Sequence, residues 1–453
     1  MLYQGAEDEH ASTSRPREAS AAAALRPAEV SYAKLSPGPG KDAVEVAESQ
    51  RARIHGAMVE IVAERGYKAV TVRDLARRAR ISSRAFYQHF SGKEDCFLRT
   101  HEAIVRRAAK RVIASQAGER DWQQRLRLAS QAFARELARD PKAARLALVE
   151  AYGAGPRARE QALWAEGIFA AMLRESFDRV LDGVVVSPLV TRGLVAGIAS
   201  VARSRVLWGE DTEQDADDLG DALAEWLLCC REQVGGSKEL AEAGAEPKAP
   251  LGTERRRRGG GRSAGGERDL ILAATAKLVA TEGYGTLTLS RIRIATGVSR
   301  KTLESHFGGI EDCVVAAAES RADEAFAYAG EAKASARTWE EGVHLAVAAL
   351  CEYVAEDPIL ATLCFLEVAS LGQAGLHCCE RFTAEIADLI CYGSPNDQCP
   401  DEVATEASAG AIWGLMGQLV LCGRRKHLPG AAATLASLAL APSRERLPVP
   451  SLG

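Results

Sequence analysis

The feature that most constrains the fold of this chain is a near-copy of itself. The segment from Ile81 to Cys96, ISSRAFYQHFSGKEDC, returns from Val298 to Cys313 as VSRKTLESHFGGIEDC, with every number raised by 217 and seven of sixteen positions identical. The same offset joins Gly66-Tyr67 to Gly283-Tyr284, Trp122 to Trp339, Asp140-Pro141 to Asp357-Pro358 and Glu150 to Glu367. A register held without a gap from Gly66 to Glu150 implies duplication of a whole folding unit. A period this long is a complete domain and not the repeat of a solenoid. After about residue 155 the copies drift.

The rest of the sequence fits two such units. The chain has 453 residues, 47% of them hydrophobic, which is enough for more than one core. Its net charge of −4 gives no general attraction to nucleic acid, so any basic surface must be local. The opening MLYQGAEDEHASTSRPREAS is polar and acidic where a leader peptide is apolar, and the apolar run LVTRGLVAGIASVA is broken by Arg192. A cytoplasmic protein with reduced thiols and no membrane partner is the expectation. Residues 1–48 are rich in Pro, Gly, Ser and Ala and are expected to be disordered. Residues 235–266 read as a flexible linker carrying one basic cluster. The glycines there have neither the preceding strand nor the Gly-Lys-Ser/Thr ending of a phosphate loop. Elsewhere apolar residues fall at helical spacing, as in Ile54, Met58, Ile61 and Val62 and their copies Ile271, Thr275, Leu278 and Val279. The expected fold class is all-α.

Within the repeat, Thr71 precedes VRDLARRA, whose Val72, Leu75, Ala76 and Ala79 form one apolar stripe. A three-residue turn, RIS, leads to a helix of about two turns, SRAFYQHF, capped by Ser82. Phe86 and Phe90, four apart, anchor it and leave Ser83, Arg84, Tyr87 and Gln88 to project. Two short helices across a tight turn, the second polar on its outer face, describe a DNA-binding helix-turn-helix. Residues 51–100 hold eleven Lys/Arg and five Asp/Glu, a net of +6 inside an acidic chain. This is the local basic patch that phosphate binding requires.

TVRDLARRARISSRAFYQHFSGKEDCF, behind a helix ending in ERGY, resembles the N-terminal domain of the TetR family of bacterial transcriptional regulators. The likeness is specific over 50–105 and again over 267–322. It implies two TetR-like units, each a three-helix DNA-binding domain on a helical ligand-binding and dimerisation bundle. The boundaries are 49–110 (motif 71–90) and 111–234 for the first unit, and 267–325 (motif 288–307) and 326–445 for the second. The resemblance implies that Thr71, Tyr87 and Lys93 meet phosphates and that His89 packs or hydrogen-bonds beneath the recognition helix. Ser83, Arg84 and Gln88 would face base edges or nearby phosphates, and Arg73 and Ser82 complete the DNA-facing set. Where the family has Gly at the turn, this chain has Arg80. A left-handed backbone there would cost about 1 kcal/mol.

The second copy keeps the scaffold but not the surface. Residues 268–317 hold six Lys/Arg and five Asp/Glu, a net of +1. Tyr87 becomes Glu304, Lys93 becomes Ile310 and Ala76 becomes Arg293. Thr288, Ser299, Arg300 and Lys301 remain as weaker candidates for DNA contact.

Among other groups, Trp164, Phe169, Met172 and Phe177, and Trp413 and Met416, read as bundle core with a ligand pocket as the alternative. His377, Cys378, Cys379, Cys391 and Cys399 follow no regular metal-ligand spacing and read as packing residues, as do Cys96 and Cys313. No cofactor, metal or catalytic constellation is expected, and the chain is not read as an enzyme. The expected function is a sequence-specific regulator, a ligand-responsive repressor. Its partners would be an operator in double-stranded DNA and an unidentified small-molecule effector, and it would act as a homodimer or an intramolecular pseudo-dimer. The alternative is a ligand-binding or protein-interaction module whose DNA binding is vestigial.

Overall fold

A computed structural model of the chain describes residues 43–179, 186–208, 213–231, 266–395 and 400–444. Residues 1–42 of the expected disordered segment, residues 235–265 of the expected linker, and Cys399 lie outside the described residues. Residues 43–48, expected to be disordered, are the start of the first helix.

Unit 1 runs α1 (Ala43–Arg65), α2 (Val72–Ala79), α3 (Ser83–His89), α4 (Lys93–Ser115), α5 (Trp122–Arg139), α6 (Pro141–Arg145), α7 (Pro156–Asp178), α8 (Pro188–Trp208) and α9 (Glu213–Cys229). Unit 2 repeats the order as α10 (Glu267–Glu282), α11 (Leu289–Thr296), α12 (Arg300–His306), α13 (Ile310–Ala334), α14 (Trp339–Glu356), α15 (Pro358–Thr362), α16 (Gln373–Cys391), α17 (Glu402–Leu421) and α18 (Leu428–Arg444). No strand occurs among the described residues. The divisions expected at residues 110 and 325 fall inside α4 and α13. Each of these helices carries its DNA-binding domain rigidly into its bundle.

The copies stay in register further than their side chains suggest. Gly155 precedes α7 and Gly372 precedes α16, so the offset of the motifs still holds here. Both units also contain a π-type turn at matched places, Leu146–Glu150 and Leu363–Glu367. In each, the closing glutamate accepts a hydrogen bond from a tyrosine backbone N–H: Tyr67 to Glu150 Oε2 and Tyr284 to Glu367 Oε2, both at 2.9 Å. Gly66 and Gly283, at φ 71° and 80°, occupy a region that favours glycine and turn that N–H towards the carboxylate. The bond seats the end of α1 or α10 on the bundle below it.

The units are joined by a shared core. Helices α8 and α17 cross closely, and Gly193 faces Leu415, Ala196 faces Gly414 and Ser200 faces Gly410, so the two run antiparallel. A Cβ on Gly197 would sit 2.4 Å from the Ala407 carbonyl oxygen and 2.7 Å from the Trp226 ring. Trp226 is buried and donates its indole N–H to Ser408 Oγ at 3.0 Å, across the units. One apolar cluster therefore contains Leu194, Val201, Leu223 and Trp226 from unit 1 and Ala404, Ala407, Ala411 and Leu438 from unit 2. Between the DNA-binding domains themselves, Lys68 lies 3.6 Å from Glu311, both largely exposed.

Gly197→Val is expected to destabilise the chain by about 3 kcal/mol in urea denaturation through overpacking of this crossing. Gly430→Ala, where a Cβ meets nothing within 4 Å, should stay within about 1 kcal/mol of the parent. Glu150→Ala should cost about 1–2 kcal/mol and speed hydrogen exchange at the Tyr67 amide, whose acceptor it removes.

Candidate nucleic-acid interface and interior cavity

The reading surface begins with two N-caps. Thr71 Oγ1 accepts from the Asp74 backbone N–H at 3.1 Å, and its hydroxyl donates to Asp74 Oδ2 at 2.7 Å. Ser82 Oγ accepts from the Ala85 N–H at 3.1 Å and starts α3. Between them Arg80 takes the left-handed conformation, φ 55° and ψ 51°, and among the described residues it alone of non-glycines has positive φ. Phe86 and Phe90 are buried with ring centroids 5.6 Å apart, which fixes the roll of α3. Ser83, Arg84 and Gln88 are exposed, and Tyr87 is 58% exposed with its ring edge-on to Phe86.

The arginines on this face divide into two groups. Arg78 bridges Glu60 and Glu64 of α1 at 2.8 Å each, and Arg77 pairs with Asp74 at 2.8 Å. Arg73, Arg80 and Arg84 are exposed, and their guanidinium groups form no hydrogen bond or ion pair among the described residues. Two expected contacts sit deeper than the rest. His89 is half-buried, bonded through Nε2 to Gln50 Oε1 at 2.9 Å, with burial and then Arg51 holding its pKa below the ordinary value. Lys93 folds back, with Nζ 3.2 Å from the Val70 carbonyl, 3.4 Å from the Lys68 carbonyl and 4.7 Å from the Tyr67 ring centre. Its ammonium secures the 67–70 loop in this structure, a role that position in the sequence did not reveal.

Unit 2 builds the same frame without the same surface. Thr288 and Ser299 cap α11 and α12 through the Arg291 and Thr302 N–H groups, and Gly297 holds the left-handed turn at φ 74°. Glu304 stands in Tyr87's place and pairs with Arg300 at 2.7 Å, so this candidate cation is neutralised by its own helix. Arg291 pairs with Glu282. Arg293 enters the helix crossing with its Nε buried and unpartnered. Ile294 is 84% exposed where unit 1 has Arg77. Lys301 is exposed and forms no ion pair among the described residues.

The sequence of residues 55–100 and again of 271–317 matches the family of bacterial regulatory proteins, tetR family. The chain thus carries two segments of the tetR-family regulatory type, one in each unit. It is a DNA-binding transcriptional regulator. Solved structures similar to it include the fatty acid degradation regulator FadR from Bacillus halodurans, 18% identical over 45% of this chain and 99% of that one, with a TM-score of 0.36. FadR from Bacillus subtilis, solved with stearoyl-CoA, is 19% identical over 39% and 96%, with a TM-score of 0.35. A TetR-like regulator from Rhodococcus sp. RHA1 is 17% identical over 40% and 96%, at 0.33. No curated protein matches the chain.

Behind the DNA-binding domain of unit 1, helices α4, α5, α7 and α8 surround about 1290 Å³ of atom-free space, including its mouth. Ile104, Val112, Phe133, Phe169, Met172 and Leu173 make much of its wall. Of the aromatic and methionine candidates, Phe169 and Met172 thus face a cavity, whereas Phe177 is buried against Trp122. Trp164 is 36% exposed beneath the Arg106 guanidinium. Met416 is buried, and Trp413 stacks on Phe365 at 4.1 Å. At the cavity wall Tyr152 donates to Glu166 Oε1 at 2.6 Å, and Gln418 of unit 2 donates to Glu166 Oε2 at 3.1 Å. Cys96, Cys313 and Cys378 are buried, and the His377 ring lies tilted against Trp208 with centroids 4.9 Å apart. Among the described residues no group of three or more His, Cys, Asp or Glu is placed to hold a metal ion. No helix of the described residues is long and apolar enough to cross a membrane.

Arg80→Gly should raise stability by about 1 kcal/mol, and Gly297→Ala should lower it by a similar amount, since only glycine occupies the left-handed turn without strain. Thermal unfolding of the two variants checks the pair.

Proposed function

We propose that this chain is a ligand-responsive repressor that acts as an intramolecular pseudo-dimer and reads DNA chiefly through its first helix-turn-helix. The shared α8–α17 core carries the reading. It occupies bundle surfaces of both units, as an interface between two separate subunits would. The asymmetry rests on chemistry. Unit 1 offers Arg73, Arg80 and Arg84 free of partners with the exposed Tyr87 and Gln88 beside them. In unit 2, Arg300 is neutralised by Glu304, and Ile310 replaces the lysine at the head of the long helix.

Ser83, Arg84 and Gln88 would reach base edges or adjoining phosphates, while Arg73, the Thr71 and Ser82 helix starts, Tyr87 and a released Lys93 would hold the backbone. Thr288, Ser299 and Lys301 of unit 2 would add contacts that carry little sequence information. The route for an effector is α4. Its first residue is Lys93 at the DNA face, and Ile104 and Val112 on the same helix line the cavity. A ligand that prefers one position of α4 over another changes the placement of α3, and that differential affinity is all that release of DNA requires. Unit 2 by itself fits a module whose DNA role is vestigial, because its exposed Ile294 and self-paired Arg300 are poor ligands for phosphate.

Selection of bound sequences from a random DNA pool should return an asymmetric site with one strongly specified half. A perfect palindrome would contradict the division between units, and failure to enrich any sequence would favour the vestigial reading. Tyr87→Ala and Arg84→Ala should each weaken binding about ten-fold or more. Lys301→Ala should change it by less than about three-fold. Removing one phosphate-binding cation should reduce the slope of log affinity against log salt by about 0.9.

A further inference from the structure

We propose that unit 1 holds the chain's apolar effector site and that this site takes one largely apolar molecule without a negative charge, whose hydrogen-bonding group meets His101. In the duplicated unit, aromatic side chains have closed the matching space. This rests on the ligand-responsive reading above and specifies where the ligand goes and what kind it is.

The two cavities occupy equivalent places. At the offset of the repeat, Val343, Ala346, Leu350, Ile386 and Leu389 of unit 2 are the counterparts of Leu126, Ala129, Phe133, Phe169 and Met172 of unit 1. Around Val343, Ala346, Leu350 and Ile386 unit 2 retains about 250 Å³, against about 1290 Å³ in unit 1, both counted with their mouths, while a separate open groove of about 1830 Å³ runs past Leu389 between charged groups, Asp323, Lys333, Arg337, Glu385 and Asp388. The difference has named causes. Phe382 replaces Ala165, and Phe365 replaces Leu148. Trp413 packs between these rings, 5.2 Å and 4.1 Å from their centres. The polar lining is thinner as well: His101 and Ser130 become Ala318 and Val347, while Tyr353 stands where Glu136 was and Asp357 keeps the place of Asp140.

His101 is 1% exposed, lines the cavity, and has no hydrogen-bond partner at either ring nitrogen. The nearby Ala147 backbone falls short of bonding geometry and only partly offsets burial, which lowers the imidazole pKa to about 4. The neutral ring offers one donor and one acceptor to whatever enters. A buried polar group left unpaired is costly, so a ligand that satisfies it gains. The charged groups of the wall are already answered. Arg107 pairs with Glu136 at 2.8 Å and Asp140 at 2.9 Å, Arg111 also pairs with Glu136, and Glu166 accepts from Tyr152 and Gln418. A ligand anion would enter this space without a free cation to meet it, which disfavours anionic ligands.

The test is titration of the full chain with the uncharged fluorophore N-phenyl-1-naphthylamine, followed by displacement with 1-decanol or decanoate at pH 8. One probe per chain is expected, lost in Ala165→Phe, with 1-decanol at least about ten-fold more effective than decanoate. His101→Ala should weaken 1-decanol roughly five-fold, the loss of one hydrogen bond. If circular dichroism shows Ala165→Phe unfolded, Ser130→Leu fills the cavity from another wall and carries the same expectation. No saturable binding, two probes per chain, binding untouched by the filling variant, decanoate as effective as 1-decanol, or unchanged 1-decanol affinity in His101→Ala would each overturn the proposal. DNA binding is measured separately by fluorescence anisotropy. A chain that takes one probe and binds no DNA removes the regulator reading and leaves the site standing.

Discussion

The antiparallel crossing of α8 and α17 is the contact on which the rest of the architecture depends. It requires glycine at Gly197, Gly410 and Gly414, because added Cβ atoms there would lie 2.3–2.4 Å from atoms of the facing helix. Close approach lets Trp226 and Ser408 bond in the buried centre and merges side chains of both units into one apolar cluster. Such a surface is too apolar to leave in water, and covering it with the chain's own second half satisfies it without a second molecule. The positions of the two DNA-binding domains follow from this crossing, since α4 and α13 tie each domain to its bundle.

Duplication preserved the parts that hold a unit together and relaxed the parts that touch ligands. The tyrosine N–H to glutamate bond has the same 2.9 Å length in both copies, and both π-type turns survive. So do the Thr and Ser caps of the short helices. By contrast, the DNA face and the cavity changed together in unit 2: Glu304 binds Arg300, and Phe382 and Trp413 fill the interior. Once one half reads DNA and holds ligand, the other can supply the packing surface alone. Aromatic area gained in a buried wall favours stability, which suits a half that serves as packing surface.

Much of this is legible in the sequence, because its strongest signals are local. The caps Thr71 and Ser82, the anchors Phe86 and Phe90, and the constant offset between the copies report helix ends, helix faces and duplication directly. The left-handed turn at Arg80 is not legible from the residue itself, because arginine rarely takes that conformation and only the resemblance placed glycine there. The shared core is not legible either, because LVTRGLVAGIASVA reads as an ordinary buried helix until Ala407 and Trp226 are seen against Gly197. Position alone gives the Lys93 ammonium to phosphate, since its carbonyl partners Lys68 and Val70 come close only through the loop geometry. The cavity is hidden for a similar reason: Phe169 and Phe177 have the same helical spacing as core, and only the packed bundle distinguishes the one that faces empty space.

The central claim is that one chain already contains both halves of a regulator. Native mass spectrometry of the protein alone and with its selected duplex tests it most directly. A single chain in solution, and one chain per duplex with a strongly specified half-site, is the predicted result. Two chains on each duplex, or a dimer that dissociates only with unfolding, would contradict it.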